Sequence, residues 1–272
     1  VAASAASFHP ANAEIITGDR KANLLLKMCM KKPYDKVRSM SAPKPNELRV
    51  ALAERTLVAD GAMGTMIQAA NPSLTDFQGH EGCNEILNVT RPELIEEIHR
   101  KYLDVGVDLI ETNTFGANLG NLGEYGIADR TYELARAGAV IARSVASEYS
   151  PKRWVLGSLG PGTKLPTLLH VTYQDLENSY FDASKGLIDG GVDALLIETT
   201  QDLLQAKAAV NGARRAVKNS KQDILLIAQV TIETNGTMLL GSEIGAALNS
   251  LGNLALHQRS EEHTSELQSR IR

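Results

Sequence analysis

The chain has 272 residues, and its hydrophobic content of 43% is enough for one sizeable core. The formal net charge of −4 gives no electrostatic reason to expect binding to nucleic acid or to an anionic membrane. No apolar run is long enough to cross a bilayer, and the first residues lack the apolar core of a secretory signal. The only two cysteines, Cys29 and Cys83, do not make a disulfide framework. Composition therefore predicts a cytoplasmic protein.

Residues 1–45 show no sustained periodicity and end with two closely spaced prolines, which predicts a poorly ordered leader. From residue 46 to residue 257, short apolar runs alternate with longer amphipathic stretches. The apolar runs are bounded by Gly, Asp or Pro, as buried parallel strands are, and comprise Leu57–Ala59, Leu109–Ile110, Trp154–Leu156, Ala194–Ile197 and Ile224–Val230. The predicted helices between them are Pro92–Val105, Arg130–Ser147, Asp175–Asp189 and Leu203–Lys218.

This alternation predicts an α/β fold with a parallel sheet. An internal echo supports it, because the residues from Gly106 to Thr112 recur with a two-residue insertion from Gly191 to Thr199. In each copy the pattern predicts the end of a helix, then a strand, then a Glu-Thr pair at the end of that strand. Since (β/α)8 barrels carry their chemistry at that edge, we favour a (β/α)8 TIM barrel. An open doubly wound sheet is the alternative, but the first turn lacks a dinucleotide-binding glycine pattern.

The most informative segment is the turn that follows the first apolar run. Asp60 ends the run, and Gly61, Ala62, Gly64 and Thr65 follow as a tight bend that opens a helical pattern. Such a bend leaves backbone N–H groups pointing outward, where they attract a carboxylate or phosphate. Asp60 beside it could hold a cation. A site that takes an anion and a cation side by side suits an amino acid.

Two further strand ends carry polar groups. Asn113 can donate and accept hydrogen bonds to a ligand, and Glu198 follows three apolar residues, where a buried carboxylate needs a partner such as an ammonium group. The alternative for Glu198 is an ion pair with a neighbouring loop, and Glu111 is the weaker candidate of the two acids. Asn118 is interpreted as a helix cap, and the segment from Gly157 to Gly162 is equally consistent with a ligand contact and a tight turn.

Together these motifs resemble a known family. DGAMGTMIQ, GCNEILNVTRPELIEEIHRKYLDVGVDLIETNTFGAN and DALLIETTQDLLQAK, in that order, resemble the homocysteine-binding domain of cobalamin-dependent methionine synthase over residues 48–248. The resemblance implies that the bend holds the substrate carboxylate, with Asp60, Asn113 and Glu198 around that end and Glu198 on the ammonium. It also implies that the parent protein uses zinc to bind the sulfur and methylcobalamin, remethylated on a folate domain, as the methyl donor.

The chain departs from that family in its metal ligands. The family binds zinc through three cysteines, one after the sixth strand and a pair after the eighth, and neither Cys29 nor Cys83 matches them. We therefore predict no catalytic residue, no metal ligand and no bound cofactor in this chain. With only five predicted βα units, the barrel is expected to be incomplete and the fragment unstable or inactive alone. Alternatives are a betaine- or S-methylmethionine-using homocysteine methyltransferase, and a non-catalytic binding protein made of a barrel fragment.

The last segment, residues 258–272, is polar and without periodicity. Its simplest interpretation is a solvated tail. However, RSEEHTSELQS resembles the translation of a DNA-sequencing adapter, so we predict that these residues are not native.

Overall fold

The structure is a computed structural model that describes residues 15–16, 46–252, 254 and 258–263. Its strands are β1 (Ile15–Ile16), β2 (Leu57–Val58), β3 (Leu109–Glu111), β4 (Trp154–Leu159), β5 (Ala194–Thr200), β6 (Leu225–Ile232) and β7 (Gln258–His263). Its α-helices are α1 (Glu47–Glu54), α2 (Met63–Ala70), α3 (Leu87–Thr90), α4 (Pro92–Asp104), α5 (Leu119–Glu124), α6 (Thr131–Ala146), α7 (Tyr173–Gly190), α8 (Leu203–Ser220) and α9 (Ile244–Gly252).

The strands form a parallel sheet in the order β3-β4-β5-β6-β7. A parallel bridge between Ala59 and Leu109 places β2 beside β3, and β1 pairs antiparallel with β2. Helices α4, α6, α7 and α8 are the crossovers that parallel strands require. The predicted α/β architecture, with five strands and four helices at the predicted places, is confirmed.

Both faces of the sheet are buried, as in parallel sheets generally. On one face, Leu109, Leu156, Leu196 and Ile227 pack together in one cluster. Their neighbours along the strands point the other way and pack against α6, α7 and α8. Leu48 of α1 completes the first cluster at the amino-terminal ends of the strands.

The first helix closes that amino-terminal end. Asn46 caps α1 and donates a hydrogen bond of 2.6 Å to the backbone oxygen of Asp223, just before β6, while the other end of α1 leads into β2. An eight-residue helix is about 12 Å long, whereas β2 and β6 would lie roughly 19 Å apart in a flat sheet. This short link favours a sheet that curls like part of a barrel.

The sequence repeat of Gly106–Thr112 and Gly191–Thr199 begins with the same local structure in both copies. Gly106 and Gly191 both have a positive φ (98° and 97°) where a helix ends, a conformation that favours glycine. Two residues later, Asp108 accepts the N–H of Val58 in β2, and Asp193 accepts that of Val155 in β4. Each carboxylate also pairs with an arginine, so it joins the start of one strand to the strand before it.

Replacing Asp108 by asparagine is expected to lower the free energy of unfolding by about 1–2 kcal/mol near pH 7. The carboxylate accepts two hydrogen bonds from Arg55, at 2.6 and 2.8 Å. Burial raises the pKa of Asp108, but these bonds and the one from Val58 outweigh it and hold the pKa below its ordinary 3.8. Because the folded pKa is the lower one, this stabilisation is full above pH 3.8 and disappears as the pH falls through the folded value.

Urea unfolding of both proteins between neutral and strongly acid pH checks this expectation. Asp223→Asn is the matched control, because Asp223 makes an exposed ion pair of 3.5 Å with Arg49 and should change stability by less than about 0.5 kcal/mol. A stability difference for Asp108→Asn that stays constant down to the lowest pH would contradict the assignment.

The structure differs from the sequence prediction at both ends of the sheet. Helix α9 and strand β7 were not predicted. Strand β7 forms from the segment interpreted as a tail, and it is the sixth strand of the parallel sheet when β2 is counted as the first. Strand pairing needs only backbone groups, so a polar segment can add to the open edge of β6. Of the predicted leader, Ile15–Ile16 is a short strand, and the remainder lies outside the described residues.

Candidate functional site

The residues singled out in the sequence lie at one edge of the sheet. Asp60 follows β2, Asn113 lies two residues after β3, and Glu198 lies two residues before the end of β5. Because these strands are parallel, their carboxyl ends share an edge. The structure thus places the predicted carboxylate-binding bend and Glu198 on the same side of the molecule.

The bend after β2 has the expected backbone geometry. Gly61 and Ala62 are exposed, and Ala62 has φ 27° and ψ 48° immediately before α2 begins. Ala62 offers no side-chain cap, and the N–H groups of Met63 and Gly64 have no hydrogen-bond partner among the residues that the structure describes. Uncapped N–H groups at a helix start form a site for a carboxylate.

Asp60 has a structural contact that the sequence did not indicate. Its Oδ1 accepts the backbone N–H of Glu111 at 2.9 Å, and its own N–H donates to the carbonyl of Leu109 at 3.0 Å. Asp60 therefore fastens the end of β2 to β3. This contact fixes the position of the bend relative to the next strand, and a direct role for Asp60 at the substrate stays a prediction.

Asn113 is buried, and its amide nitrogen is held by the segment that precedes α4. Nδ2 donates to the backbone oxygen of Asn84 at 2.8 Å and to Oδ1 of Asn88 at 3.0 Å. Asn84 also lies next to the bend, because a Cβ added at Gly64 would be 3.9 Å from its Nδ2. Asn84 thus connects the bend with Asn113, a link that sequence spacing did not reveal.

Glu198 lies at a β-bulge on the interior face of the sheet. The register between β5 and β6 passes from Ile197–Ala228 to Thr200–Val230, so Glu198 and Thr199 together oppose one residue of β6. Thr199 has φ 55°, which a β-branched residue adopts only under strain. Bulges next to functional sites re-aim a side chain, and this bulge contains Glu198, which is 7% exposed.

Hydroxyl groups connect Glu198 to the loop of Asn113. Ser158 in β4 donates its hydroxyl hydrogen to Oε1 of Glu198. The N–H of Ser158 donates to Oγ1 of Thr112 at 3.0 Å, and its carbonyl accepts from Oγ1 of Thr114 at 2.8 Å. Asn113 lies between these two threonines, so its position relative to Glu198 is fixed through β4. Ser158 was part of the glycine-rich motif, but its side chain was not singled out.

The glycines of that motif make room for other parts of the protein. A Cβ at Gly160 would lie 2.5 Å from the carbonyl of Phe115, and one at Gly157 would lie 2.9 Å from Cδ1 of Leu187. Gly157 and Gly160 thus serve close packing within the protein, which is a different role from the predicted ligand contact or tight turn. Asn118 caps α5 by accepting the N–H of Asn121, as predicted.

Cys83 is a buried thiol beside a buried carboxylate. Burial, followed by the charge of Glu85, raises the pKa of its thiol to about 12. Glu85 is buried as well; burial raises its pKa, and it accepts the N–H of Gly116 at 2.7 Å. Within the described ranges, no group of three or more His, Cys, Asp or Glu could hold a metal ion, and no helix could span a membrane.

Known proteins resemble this chain in sequence. Methionine synthase of Mycobacterium tuberculosis (strain ATCC 25618 / H37Rv) is 58% identical over 208 residues, which is 75% of this chain and 17% of that protein. Methionine synthase of Mycobacterium leprae (strain TN) is 58% identical over 205 residues, with 74% of this chain and 17% of that protein covered. The chain thus spans about a sixth of the length of these relatives.

Solved structures share the fold. The metallated form of the homocysteine methyltransferase MmuM from Escherichia coli aligns with a TM-score of 0.65 at 19% identity, covering 79% of this chain and 77% of that one. Its apo form aligns with a TM-score of 0.56 at 18% identity, covering 75% and 70%. A family model described as homocysteine S-methyltransferase matches residues 57–257. The chain belongs to the homocysteine S-methyltransferase family.

Proposed function

We propose that this chain binds L-homocysteine at the carboxyl edge of its sheet, as the acceptor part of a methyl transfer that yields methionine. The observation that carries the proposal is the carboxylate of Glu198, which a strained bulge holds almost fully buried at that edge. A carboxylate at this edge of the sheet attracts a cationic group, and the ammonium group of an amino-acid substrate is one.

In this proposal the two charged ends of the amino acid have separate partners. The backbone N–H groups from Gly61 to Thr65 receive the carboxylate, at the positive end of the α2 dipole, which contributes on the order of 0.3–2 kcal/mol. Glu198 and Asn113 receive the ammonium group, and Asp60 completes that end of the pocket. The thiol then extends away from these groups, toward the methyl donor.

Zinc and cobalamin belong to the parent protein in this proposal, together with its folate- and cobalamin-binding domains. A bound zinc would supply the homocysteine thiolate, since a free thiol with a pKa of roughly 8.5 is only a few per cent ionised at neutral pH. The described residues provide no group of three or more His, Cys, Asp or Glu that could hold such a metal. The proposed activity of this chain therefore ends at binding and orienting homocysteine, in a reducing, cytoplasmic setting.

Methionine synthase is favoured over the betaine- and S-methylmethionine-using enzymes as the parent. Sequence identity to the two mycobacterial methionine synthases is 58%, against 19% to the aligned homocysteine methyltransferase from Escherichia coli. The small share of the relatives that the chain covers, 17%, fits one part of a long multidomain protein.

Equilibrium dialysis of the purified chain with radiolabelled L-homocysteine tests the proposal. We expect saturable binding with a dissociation constant of about 1 mM, because the anion site and the buried carboxylate are both present; such an affinity corresponds to about 4 kcal/mol. Circular dichroism establishes that the sample is folded. A folded chain that takes up no more homocysteine than 3-mercapto-1-propanol, an uncharged thiol, at 10 mM would refute the proposal.

A further inference from the structure

Two buried asparagines, Asn88 and Asn113, form a reciprocal hydrogen-bond network with the backbone of the partly buried Asn84, beside the proposed site. Nδ2 of Asn113 donates to the backbone oxygen of Asn84 and to Oδ1 of Asn88. In return, Nδ2 of Asn88 donates to the backbone oxygen of Asn113 at 2.8 Å and to that of Leu134 in α6 at 3.2 Å. Asn88 therefore joins three separate parts of the chain: α3, the loop after β3, and α6.

The backbone carbonyls settle which way each amide points. A carbonyl oxygen only accepts hydrogen bonds, so the amide atom that faces the carbonyl of Asn84 is the nitrogen of Asn113. For the same reason the atom of Asn88 that faces the carbonyl of Leu134 is nitrogen, which leaves its Oδ1 toward Asn113. Both N–H groups of the Asn113 amide are consumed in this way. Its carbonyl oxygen, a pure acceptor, is the group left for a ligand.

Packing prevents Asn88 from turning away. Asn88 is 3% exposed. Helix α6 covers it through Gly138, where an added Cβ would lie 2.8 Å from Nδ2 of Asn88 and 2.7 Å from Cγ2 of Thr114. With the glycine in place, α6 comes close enough for the carbonyl of Leu134 to hold the amide. The orientation of Asn113 is thus determined by a residue that itself has one available arrangement.

We propose that Asn88 is a positioning residue that fixes Asn113 as a hydrogen-bond acceptor, so that the site selects thiols carrying an α-ammonium group over thiols without one. The inference rests on the proposed function only for the identity of the substrate. An acceptor at this point gains from an N–H donor, and an ammonium group makes the stronger, charge-assisted bond. A substrate without the amine leaves the oxygen of Asn113 unmatched.

The test compares two probes, L-homocysteine and 4-mercaptobutanoate, which lacks the amine, on the wild-type chain and on Asn88→Ala. In the wild type we expect 4-mercaptobutanoate to bind at least tenfold more weakly. In Asn88→Ala this discrimination should fall by about tenfold, while the affinity for 4-mercaptobutanoate stays within about twofold. Asn211→Ala is the matched control, because Asn211 in α8 bonds Tyr173 at 2.7 Å, outside the network, and should retain full discrimination.

Each outcome decides between specific alternatives. Equal weakening of both probes in Asn88→Ala would show a merely structural role and overturn the proposal. Equal wild-type affinity for both probes would also overturn it, together with the ammonium contact of Glu198, while homocysteine binding itself would stand. If the wild type binds neither probe, the proposed function fails. In that case, and also if Asn88→Ala does not fold, solvent exchange of the side-chain amide protons of Asn113 still tests the positioning role. Both protons should be protected from solvent exchange in the wild type, and exchange as fast as that of the exposed Asn71 would overturn the inference.

Discussion

Replacing Gly212 by alanine is expected to destabilise the folded chain by about 3 kcal/mol. Gly212 lies in α8 where that helix crosses α7. A Cβ there would be 2.5 Å from the carbonyl oxygen of Glu177, 2.8 Å from the backbone nitrogen of Phe181 and 3.0 Å from Cβ of Tyr180. Two of these atoms are helix backbone, so no side-chain rotation relieves the overlap and the helices must separate. Separation exposes the apolar surface that the pair buries.

Gly123→Ala is the matched control for this substitution. Gly123 is helical, in α5, and a Cβ there would meet nothing within 4 Å. Alanine is the better helix former, so this variant should be neutral or more stable by up to about 1 kcal/mol. Urea unfolding followed by circular dichroism measures both. Parallel loss of stability in the two variants would mean that helix propensity or the unfolded state, and not the crossing of α7 and α8, determines the result.

Strand positions were predictable because each buried strand carries a short apolar run, but the strand ends were not. Both β4 and β5 continue beyond the predicted ends at Leu156 and Ile197. The added residues include Ser158 and Glu198, which are buried polar residues joined by a hydrogen bond. Apolar patterning ends where the core ends, whereas backbone pairing continues into the site.

The segment from Gln258 to His263 shows that a strand can also form where the sequence has no apolar pattern to predict it. It has no apolar alternation, yet its backbone pairs with β6 from Ile227 to Ile232. The family match ends at residue 257, directly before it. We propose that this segment is not native and that it occupies the edge position a native sixth strand would take in the parent.

The candidate site was predictable to the extent that it follows from strand ends. Asp60, Asn113 and Glu198 each follow an apolar run, and parallel topology places them at one edge. Asn84 lies just before α3, Asn88 lies within it, and neither belongs to a strand, so only the three-dimensional contacts with Asn113 reveal them.

Glu198→Gln is expected to weaken homocysteine binding by about 10- to 100-fold, since a hydrogen bond to a charged group contributes about 1.5–3 kcal/mol. Glutamine keeps the volume of the side chain and can still accept the hydroxyl hydrogen of Ser158, so the fold should be retained. What it removes is the negative charge that faces the substrate ammonium. The binding of 4-mercaptobutanoate, which has no ammonium group, should be unchanged or stronger.

Glu111→Gln separates this local effect from a general change in charge. Glu111 also points to the interior face, at the end of β3, and the substitution changes net charge by the same amount. If Glu198 is the direct partner of the ammonium group, Glu111→Gln should change homocysteine affinity less than threefold, roughly 0.6 kcal/mol. Equal losses in the two variants would assign the effect to the summed field of the barrel mouth. If Glu198→Gln bound homocysteine with wild-type affinity, Glu198 would not be the partner of the ammonium group. Asn113 and Asp60 would then be the groups able to receive it.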